Sequence, residues 1–244
     1  MRRGMKVRIF RTFIPLPARS RETVWVPPQE LATDPLTAAL RRDGHRRTFA
    51  RGQTLFVEGD RPERVFMIEQ GRVLITCTGP GGKDAVLAMC GPGDVLGEVS
   101  VFDGEPRSGT AVTLEQVEAI IAPASALTRA AQEIETAHEL IRILASRLRE
   151  ADRRRLEFAS LDTLGRVAWR LVELGERFGR ETPAGTEVDL PISQEQLASW
   201  CAASREATVK ALAALRSLGT ISTSRRHVLI ADPEALRRHA QGFA

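Results

Sequence analysis

Glycines divide the stretch from Arg46 to Pro123 into short segments of β-forming residues, and this pattern constrains the fold more than any other feature of the chain. The segments that favour strands are Thr54–Val57, Val65–Glu69, Val73–Thr78, Ala85–Cys90, Val95–Leu96, Ala111–Thr113 and Val117–Ile121. Short strands separated by turn signals at this spacing are typical of an all-β sandwich or barrel. The pattern therefore predicts a β unit that forms its own core.

The chain is long enough to contain more than this β unit. Its 244 residues exceed the usual size of one domain. We expect a flexible basic arm at residues 1–28, the β unit at 29–132, a long helix and hinge at 133–161, and a second domain at 162–244. A short helix that extends to Arg42, with Asp34 as its N-cap, opens the β unit.

The excess of basic residues lies in the N-terminal arm. Residues 1–28 hold seven Arg or Lys and a single acid, Glu22, whereas the rest of the chain holds 28 basic and 30 acidic residues. The net charge of +4 is therefore weak evidence that the folded domains bind nucleic acid. A solvated tail is the simpler explanation of the arm, so a DNA-binding function has to be argued from motifs.

Cysteine usage and hydropathy argue against several classes of protein. Cys77, Cys90 and Cys201 lie far apart and are odd in number, which disfavours a disulfide framework, a zinc site or an iron–sulfur cluster. We expect neither a metal nor a haem. No apolar run approaches the ~20 residues of a membrane helix, so we expect a cytoplasmic protein without a membrane partner.

No constellation of catalytic residues is visible in the sequence. We find no nucleophile–base pair, metal-ligand spacing or paired catalytic carboxylates. The four histidines are isolated from one another: His45, His138, His227 and His239. An enzyme is therefore the least favoured class.

After Pro123 the hydrophobic pattern becomes helical. Mostly apolar residues recur in steps of four and three over three heptads, and this heptad stripe consists of Ala137, Ile141, Leu144, Leu148, Ala151, Arg155 and Phe158. A second helix must cover the stripe, because the β unit already has its own core. The simplest partner is the same helix of another subunit in a parallel two-fold homodimer. The alternative is that the stripe packs on the β unit of its own chain.

A candidate binding site lies at residues 97–111, GEVSVFDGEPRSGTA, which we call the cassette. Gly97 lets the backbone approach a ligand closely. Arg107 offers a planar fork of donors to a phosphodiester, and Ser108 and Thr110 add hydroxyls. These residues fit a phosphate cradle. The alternative is a surface hairpin held by an Arg–Glu pair.

The stretch from Ser193 onward carries the pattern of two helices joined by a tight turn. Ser193 and Gln196 form the capping-box pattern of a short helix, and Ser204 can cap the helix that follows. That second helix begins with polar side chains that could reach DNA base edges: Arg205, Glu206, Thr208 and Lys210. The alternative is an ordinary antiparallel helix pair, because Ser-Arg-Glu is also a common helix N-terminus.

Two short apolar segments follow Gly219 and are joined by a basic tip. We expect strands at 221–223 and 228–230, with Arg225 and Arg226 between them. Such a wing would contact phosphates and add affinity without sequence information. A plain exposed hairpin fits nearly as well until the neighbouring helix pair is considered.

The order and spacing of these motifs strongly resemble the Crp–Fnr family of bacterial transcription regulators, from about Asp34 to Ala240. The resemblance rests on the β-roll glycines Gly59, Gly71 and Gly97, on the cassette, on LDTLGRVAWRL at the end of the long helix, and on ASREATVKAL. It implies an α+β fold: an N-terminal cyclic-nucleotide-binding β jelly roll, a long dimerisation helix and a C-terminal winged helix-turn-helix.

The resemblance also implies roles within the candidate ligand site. Glu98 matches an acid that holds the ribose hydroxyl, and Arg107 and Ser108 match the residues that grip the cyclic phosphate. Family members that use cyclic AMP commonly present a Thr–Ser pair to the adenine, whereas this chain has Ala151 and Asp152. Asp152 could accept a hydrogen bond from an exocyclic amine, including that of guanine. The candidate ligand-binding residues are Gly97, Glu98, Val99, Ser100, Arg107, Ser108 and Asp152.

Two residues of the helix pair depart from the family pattern. Lys210 stands where the type member has an arginine, and a lysine keeps the charge but loses the bidentate fork. Ala202 replaces the usual turn glycine, so it must adopt a left-handed conformation if the turn keeps its shape. The candidate DNA-binding residues are Ser193, Ser204, Arg205, Glu206, Thr208, Lys210, Arg225 and Arg226.

The resemblance implies a homodimeric, ligand-responsive regulator that binds double-stranded DNA. A cyclic nucleotide would be its effector, cyclic AMP first and a guanine nucleotide next, and RNA polymerase would be a further partner. One alternative is a regulator of the same fold that acts without nucleotide or with another effector. Another is a cyclic-nucleotide-binding signalling or scaffold protein whose C-terminal helices bind protein.

Overall fold

The computed structural model describes residues 35–79 and 81–242. The predicted basic arm and the predicted N-cap Asp34 lie outside the described residues. A β-roll, a long helix and a C-terminal domain follow one another along the described chain. This is the predicted α+β architecture, with the jelly roll, long helix and winged helix-turn-helix in the expected order.

The β-roll is built from two antiparallel sheets. Its strands are β1 (His45–Phe49), β2 (Thr54–Phe56), β3 (Arg64–Gln70), β4 (Val73–Thr78), β5 (Asp84–Cys90), β6 (Val95–Leu96), β7 (Thr110–Thr113) and β8 (Val117–Pro123). One sheet has the order β1-β8-β3-β6 and the other the order β2-β7-β4-β5. The predicted segments match β2 to β8 to within two residues. The sequence did not predict β1, because its residues are mostly charged and only pairing with β8 makes them a strand.

The first sheet is covered on both faces because strand β3 is apolar on both sides. Phe66 and Ile68 point into the core between the sheets, whereas Val65 and Met67 pack against helices on the outer face. The helices of this half are α1 (Pro35–Asp43), α2 (Glu98–Asp103), α3 (Ala124–Ala130) and α4 (Ile134–Ser160). Helices α1, α3 and the start of α4 supply the outer core, in which Leu140 of α4 is buried.

The heptad stripe of α4 faces away from its own β-roll. Its largest members, Ile141, Leu148 and Phe158, are between 61% and 63% exposed in the single chain. The residues that pack on the β-roll are instead Leu140 and Ile143, on a neighbouring face of the helix. These side chains therefore do not pack on the β unit of their own chain, and the structure does not show that alternative.

The C-terminal domain combines four helices with a small sheet. It contains α5 (Thr163–Phe178), β9 (Arg180–Thr182), β10 (Gly185–Asp189), α6 (Gln194–Trp200), α7 (Arg205–Ser217), β11 (Ile221–Ser224), β12 (His227–Ile230) and α8 (Pro233–Ala240). The sheet order is β11-β12-β10-β9. Residues 179–189 are mostly polar and contain glycines and a proline, a composition typical of a loop, but the structure has the hairpin β9–β10 there. The polar residues of this hairpin do not show a sequence pattern typical of strands. Strand β10 is stabilised by pairing with β12 and β9.

The two domains share a continuous packed interface. Leu74, Val86 and Met89 of the β-roll belong to the same core cluster as the helices of the C-terminal domain. Strand β5 lies at a sheet edge, and the Ser199 hydroxyl of α6 takes the place of a neighbouring strand. It accepts a hydrogen bond from the Val86 amide at 3.1 Å and donates one to the Asp84 carbonyl at 3.1 Å. The backbone at this edge is therefore satisfied by a side chain.

Candidate functional site

The cassette is organised by a short helix between two glycines in the left-handed conformation. Gly97 precedes α2 with φ at 82°, and Gly104 ends it with φ at 74°. The sequence suggested a turn or hairpin here, because a helix of six residues is too short to leave a periodic pattern. A Cβ at Gly97 would lie 2.4 Å from Nη1 of Arg107. Glycine is required at this position both for the backbone conformation and for the approach of the guanidinium.

The Arg107 side chain turns inward and bonds to the backbone. It is 4% exposed, and its Nη1 donates to the Gly97 carbonyl at 2.5 Å while Nη2 donates to the Arg64 carbonyl. The guanidinium lies 4.7 Å from the centre of the Phe56 ring. Burial lowers the pKa of Arg107. The alternative of a surface hairpin held by an Arg–Glu pair is wrong, because backbone carbonyls, not a glutamate, bind this arginine.

Glu98 is the most deeply buried charged group of the cassette. Its side chain is 0% exposed, and Arg147 Nη1 approaches Oε1 at 3.0 Å. Neither carboxylate oxygen accepts a well-formed hydrogen bond from the described residues. Burial raises the pKa of Glu98, and the positive charge of Arg147 offsets this only in part. The cassette therefore holds a buried carboxyl group that has an ion-pair partner but retains capacity to accept hydrogen bonds.

The other predicted ligand residues occupy different environments. Ser108 and Val99 are exposed, whereas Ser100 is buried and donates to the Pro106 carbonyl at 3.3 Å. Asp152 lies on α4 and is ion-paired with Arg155 of the same helix at 3.1 Å, with its side chain more than half exposed. Within one chain, its ion-pair partner is therefore a helix neighbour and not a cassette residue.

Arg147 of α4 contacts the cassette, and the sequence analysis missed this residue. Besides pairing with Glu98, it donates from Nη2 to the Val95 carbonyl at 2.5 Å, so it joins α4 to the strand that leads into the cassette. Arg147 lies four residues before Ala151 and hence on the same helix face. Since the resemblance directs Ala151 toward the ligand base, helix periodicity was the signal that could have identified Arg147.

The helix pair in the C-terminal domain begins with the predicted caps. The Ser193 hydroxyl accepts a hydrogen bond from the Gln196 backbone amide, and Gln196 Oε1 accepts one from the Ser193 backbone amide, which completes a capping box. Ser204 caps α7 by accepting from the Ala207 amide at 3.1 Å. Ala202 lies in the turn with φ at 47°, the left-handed conformation that the family resemblance led us to expect.

Helix α7 presents most of the predicted DNA-reading side chains to solvent. Arg205, Glu206 and Lys210 are exposed. Thr208 is a correction, because it is 0% exposed and its hydroxyl donates to the Ser204 carbonyl at 3.0 Å. It faces the domain core, and a buried hydroxyl that is already hydrogen-bonded has no reach toward a DNA base.

Strands β11 and β12 form the predicted hairpin. Arg225 and Arg226 are exposed at its tip. Arg226 has φ at 58°, which is unusual for a residue other than glycine and fits a tight two-residue connection. The two guanidinium groups therefore extend from one end of the small sheet.

A buried ion-pair cluster joins the end of α4 to the helix pair. Arg170 of α5 contacts Glu157 of α4 and Glu173 of its own helix, each at 2.5 Å, and lies 5.6 Å from the centre of the Trp200 ring. Arg166 donates to the carbonyls of Leu161 and Cys201. The hinge between α4 and α5 is thus fixed by charged contacts that reach α6.

Two further features of the described residues concern metals and membranes. No group of three or more His, Cys, Asp or Glu side chains in residues 35–79 and 81–242 could hold a metal ion. None of the helices in this part of the chain is long and apolar enough to span a bilayer.

Known protein families match both halves of the chain. A family model described as a cyclic nucleotide-binding domain matches residues 46–133, and one described as a Crp-like helix-turn-helix domain matches residues 165–239. Over 205 residues the chain is 37% identical to the "CRP-like cAMP-activated global transcriptional regulator" of Mycobacterium tuberculosis, which covers 84% of this chain and 92% of that relative. The chain belongs to the Crp–Fnr family. It is a transcription regulator with a cyclic nucleotide-binding domain and a DNA-binding helix-turn-helix, and not an enzyme.

Other Crp–Fnr proteins show the same relationship. The "Cyclic AMP receptor protein" of Thermus thermophilus is 30% identical over 202 residues, which are 82% of this chain and 89% of that protein. The structure of FixK2 from Bradyrhizobium japonicum matches with a TM-score of 0.72 at 21% identity, covering 80% of this chain and 96% of FixK2. A CRP-family regulator from Thermus thermophilus matches with a TM-score of 0.68 at 27% identity, over 81% and 97% of the two chains. The FixK2 match bears on the fold alone.

Proposed function

We propose that a cyclic nucleotide bound in the cassette controls DNA binding by this Crp–Fnr regulator. The observation that carries the proposal is the buried carboxyl of Glu98, whose oxygens accept no well-formed hydrogen bond from the described residues. A ligand hydroxyl is a donor that fits this need. A buried carboxylate whose oxygens lack hydrogen-bond donors lowers the stability of the fold unless a ligand supplies those donors. Its presence therefore favours a binding site over a structural role.

The proposed contacts use the polar groups of the cassette. Glu98 would accept from the ribose hydroxyl, and Arg107 and Ser108 would donate to the cyclic phosphate. Gly97 has no side chain, so the backbone of the cassette is open to close approach. Arg107 has an Nε–H that is buried without a partner among the described residues, which leaves donor capacity for an anion. Val99 and Ser100 would line the site beside these groups.

Cyclic AMP is the first candidate for the effector, and a guanine nucleotide is the second. The name of the Mycobacterium tuberculosis relative, which describes that protein as cAMP-activated, supports the first. Asp152 supports the second, because its carboxylate could accept from the exocyclic amine of guanine. No metal or haem is needed by this scheme.

The proposed homodimer forms through the heptad stripe of α4. The exposed residues Ile141, Leu148 and Phe158 would become buried against the same helix of a second chain, together with Ala137, Leu144 and Ala151. Removal of such apolar area from water stabilises association by about 25 cal/mol for each Å². The stripe reaches the hinge end of α4, so it would also bring the two DNA-binding domains together.

The dimer would bind double-stranded DNA through α7 and the wing. Two copies of α7 related by a two-fold axis fit successive major grooves about 34 Å apart. The side chains that would face base edges are Arg205, Glu206 and Lys210. Phosphates would be contacted by Arg225 and Arg226. The helix N-termini near the DNA backbone would be those capped by Ser193 and Ser204. The proposed site of action is the cytoplasm, with RNA polymerase as a further partner.

Calorimetry and gel shifts test the proposal together. Purified protein is titrated with cyclic AMP, cyclic GMP and cyclic di-GMP, and its binding to a selected operator is measured with and without each nucleotide. We expect saturable binding of one nucleotide and tighter DNA binding in its presence. The Glu98→Gln variant should lose most of the nucleotide affinity, whereas Asp103→Asn, an exposed carboxylate at the end of α2, serves as the matched control. Absence of binding by all three nucleotides would refute the effector assignment.

One observation favours a second candidate, a regulator that binds DNA without nucleotide. The guanidinium of Arg107 already donates to the carbonyls of Gly97 and Arg64. A phosphate would have to compete with these bonds. The gel shifts separate the two candidates, because a nucleotide-independent regulator binds its operator equally well in every lane.

A further inference from the structure

The exposed face of α7 contains an apolar side chain that the sequence analysis did not consider. Val209 is 38% exposed, whereas Ala211 and Leu215 of the same helix are buried in the domain core. Residues three and four apart share a helix face, so Val209 lies beside Glu206 and Arg205. With Thr208 buried, Val209 stands among the charged residues of this face.

The position of Val209 is chemically unusual for a surface that meets DNA. A valine can neither neutralise a phosphate nor form a hydrogen bond with a base. The 5-methyl group of thymine is the one apolar group that a base edge presents in the major groove. A β-branched side chain has one strongly preferred rotamer in a helix, so its two methyl groups are held in place before DNA binds.

We propose that Val209 is a specificity-determining residue that recognises the methyl group of a thymine in the operator. This inference rests on the proposed DNA-binding function of α7. Arg205 and Glu206 read hydrogen-bonding groups, and Val209 adds discrimination between thymine and the other bases at a neighbouring position. Its contribution is a contact with one methyl group. Burial of one such group is worth about 0.8 kcal/mol, which corresponds to about a fourfold change in affinity.

The test removes the 5-methyl group of thymine and leaves base pairing unchanged. An operator is first selected from random duplexes with the full-length wild-type protein, without nucleotide and with each of cyclic AMP, cyclic GMP and cyclic di-GMP. Each thymine of one half-site is then replaced in turn by deoxyuridine, and the Kd is measured by fluorescence anisotropy at one fixed salt concentration. We expect one thymine whose replacement weakens wild-type binding about fourfold.

A double-mutant cycle assigns this effect to the side chain. Val209→Ala should weaken binding to the thymine duplex and should no longer distinguish thymine from deoxyuridine at that position. Leu218→Ala is the matched control, because Leu218 is another exposed apolar residue and lies just past the C-terminal end of α7. The control should keep the full sensitivity to deoxyuridine. Circular dichroism confirms that both variants are folded.

The outcomes separate this inference from the proposed function. Wild-type binding to the selected duplex without any deoxyuridine effect would overturn the role of Val209 and leave the DNA-binding function intact. The role of Val209 is likewise overturned if Val209→Ala retains the wild-type sensitivity. Failure of the wild-type protein to enrich or bind any duplex would overturn both.

Discussion

The cassette and the DNA-binding face of α7 use the same kinds of side chain in opposite environments. In the cassette, Glu98 and Arg107 are almost completely buried, and burial shifts their pKa values toward the neutral forms. On α7, Arg205 and Glu206 are exposed to water. The comparison indicates that changing a cassette charge also changes the folding energetics of the β-roll, whereas changing a charge on α7 has little effect on stability.

The largest expected contrast comes from removing one arginine in each region. Arg147→Met leaves Glu98 buried without its ion-pair partner, so we expect a loss of about 3 kcal/mol in the free energy of unfolding. This is the low end of the range for a broken buried pair, because Arg147 itself is 38% exposed. Arg205→Met should change stability by less than about 0.5 kcal/mol. Urea unfolding at pH 7 measures both.

In DNA binding the order should be reversed, so Arg205→Met should reduce the affinity for the operator more than Arg147→Met does. Arg205→Met should weaken operator binding by about 1–3 kcal/mol for each half-site, because one base contact is lost from each copy of α7. If Arg147→Met and Arg205→Met destabilised the protein equally, the distinction between the two regions would be lost.

A smaller effect is expected from Gly97→Ala. The new Cβ requires a left-handed conformation that costs of order 1–3 kcal/mol, and it would also displace the Arg107 guanidinium, whose Nη1 would lie 2.4 Å from that Cβ. Gly219→Ala is the control, because Gly219 also has a positive φ but a Cβ there meets nothing within 4 Å. Thermal unfolding should show the greater loss for Gly97→Ala. Equal losses would mean that backbone strain alone, without the arginine contact, sets the requirement for glycine.

The pH dependence of stability should distinguish Glu98 from exposed acids. The pKa of Glu98 is raised in the folded state above the ordinary value of 4.5. Its contribution to stability is therefore complete below about pH 4.5 and is lost as the pH rises through the folded-state pKa. Relative to the wild type, Glu98→Gln should gain stability as the pH rises above 4.5. The exposed Glu206→Gln, unfolded in urea over the same pH range, should show no such trend.

The smallest effect on stability is expected at the wing. Arg226→Gly removes a positive charge and relieves a positive φ of 58°, so its stability should change by less than about 1 kcal/mol in the favourable direction. The slope of log K against log salt for operator binding should nevertheless fall in magnitude by about two, because the dimer loses one phosphate contact from each of its two wings. Arg180→Ala, an exposed arginine of β9 that pairs with Glu187, is the control. An unchanged slope for Arg226→Gly would remove the wing from the proposed interface.

The sequence predicted elements whose signals are local. Seven strands of the β-roll follow from glycine punctuation, and the capping box at Ser193 follows from side-chain and backbone chemistry within a few residues. The left-handed turn at Ala202 was expected from the family resemblance. The motif order was enough for the family and for the overall architecture. The sequence did not predict β1, the hairpin β9–β10 or α2, because these elements are charged, polar or short and depend on partners elsewhere in the chain.

Within the candidate sites, the sequence by itself determined which kinds of side chain are present and on which elements they lie. Only the tertiary structure decided which way they face. It turned Arg107 onto the carbonyl of Arg64, brought Arg147 to Glu98, and buried Thr208 while leaving Val209 in solvent. The physical reason is that burial and pairing depend on surfaces contributed by distant segments, whereas caps, turns and strand runs depend on neighbours along the chain.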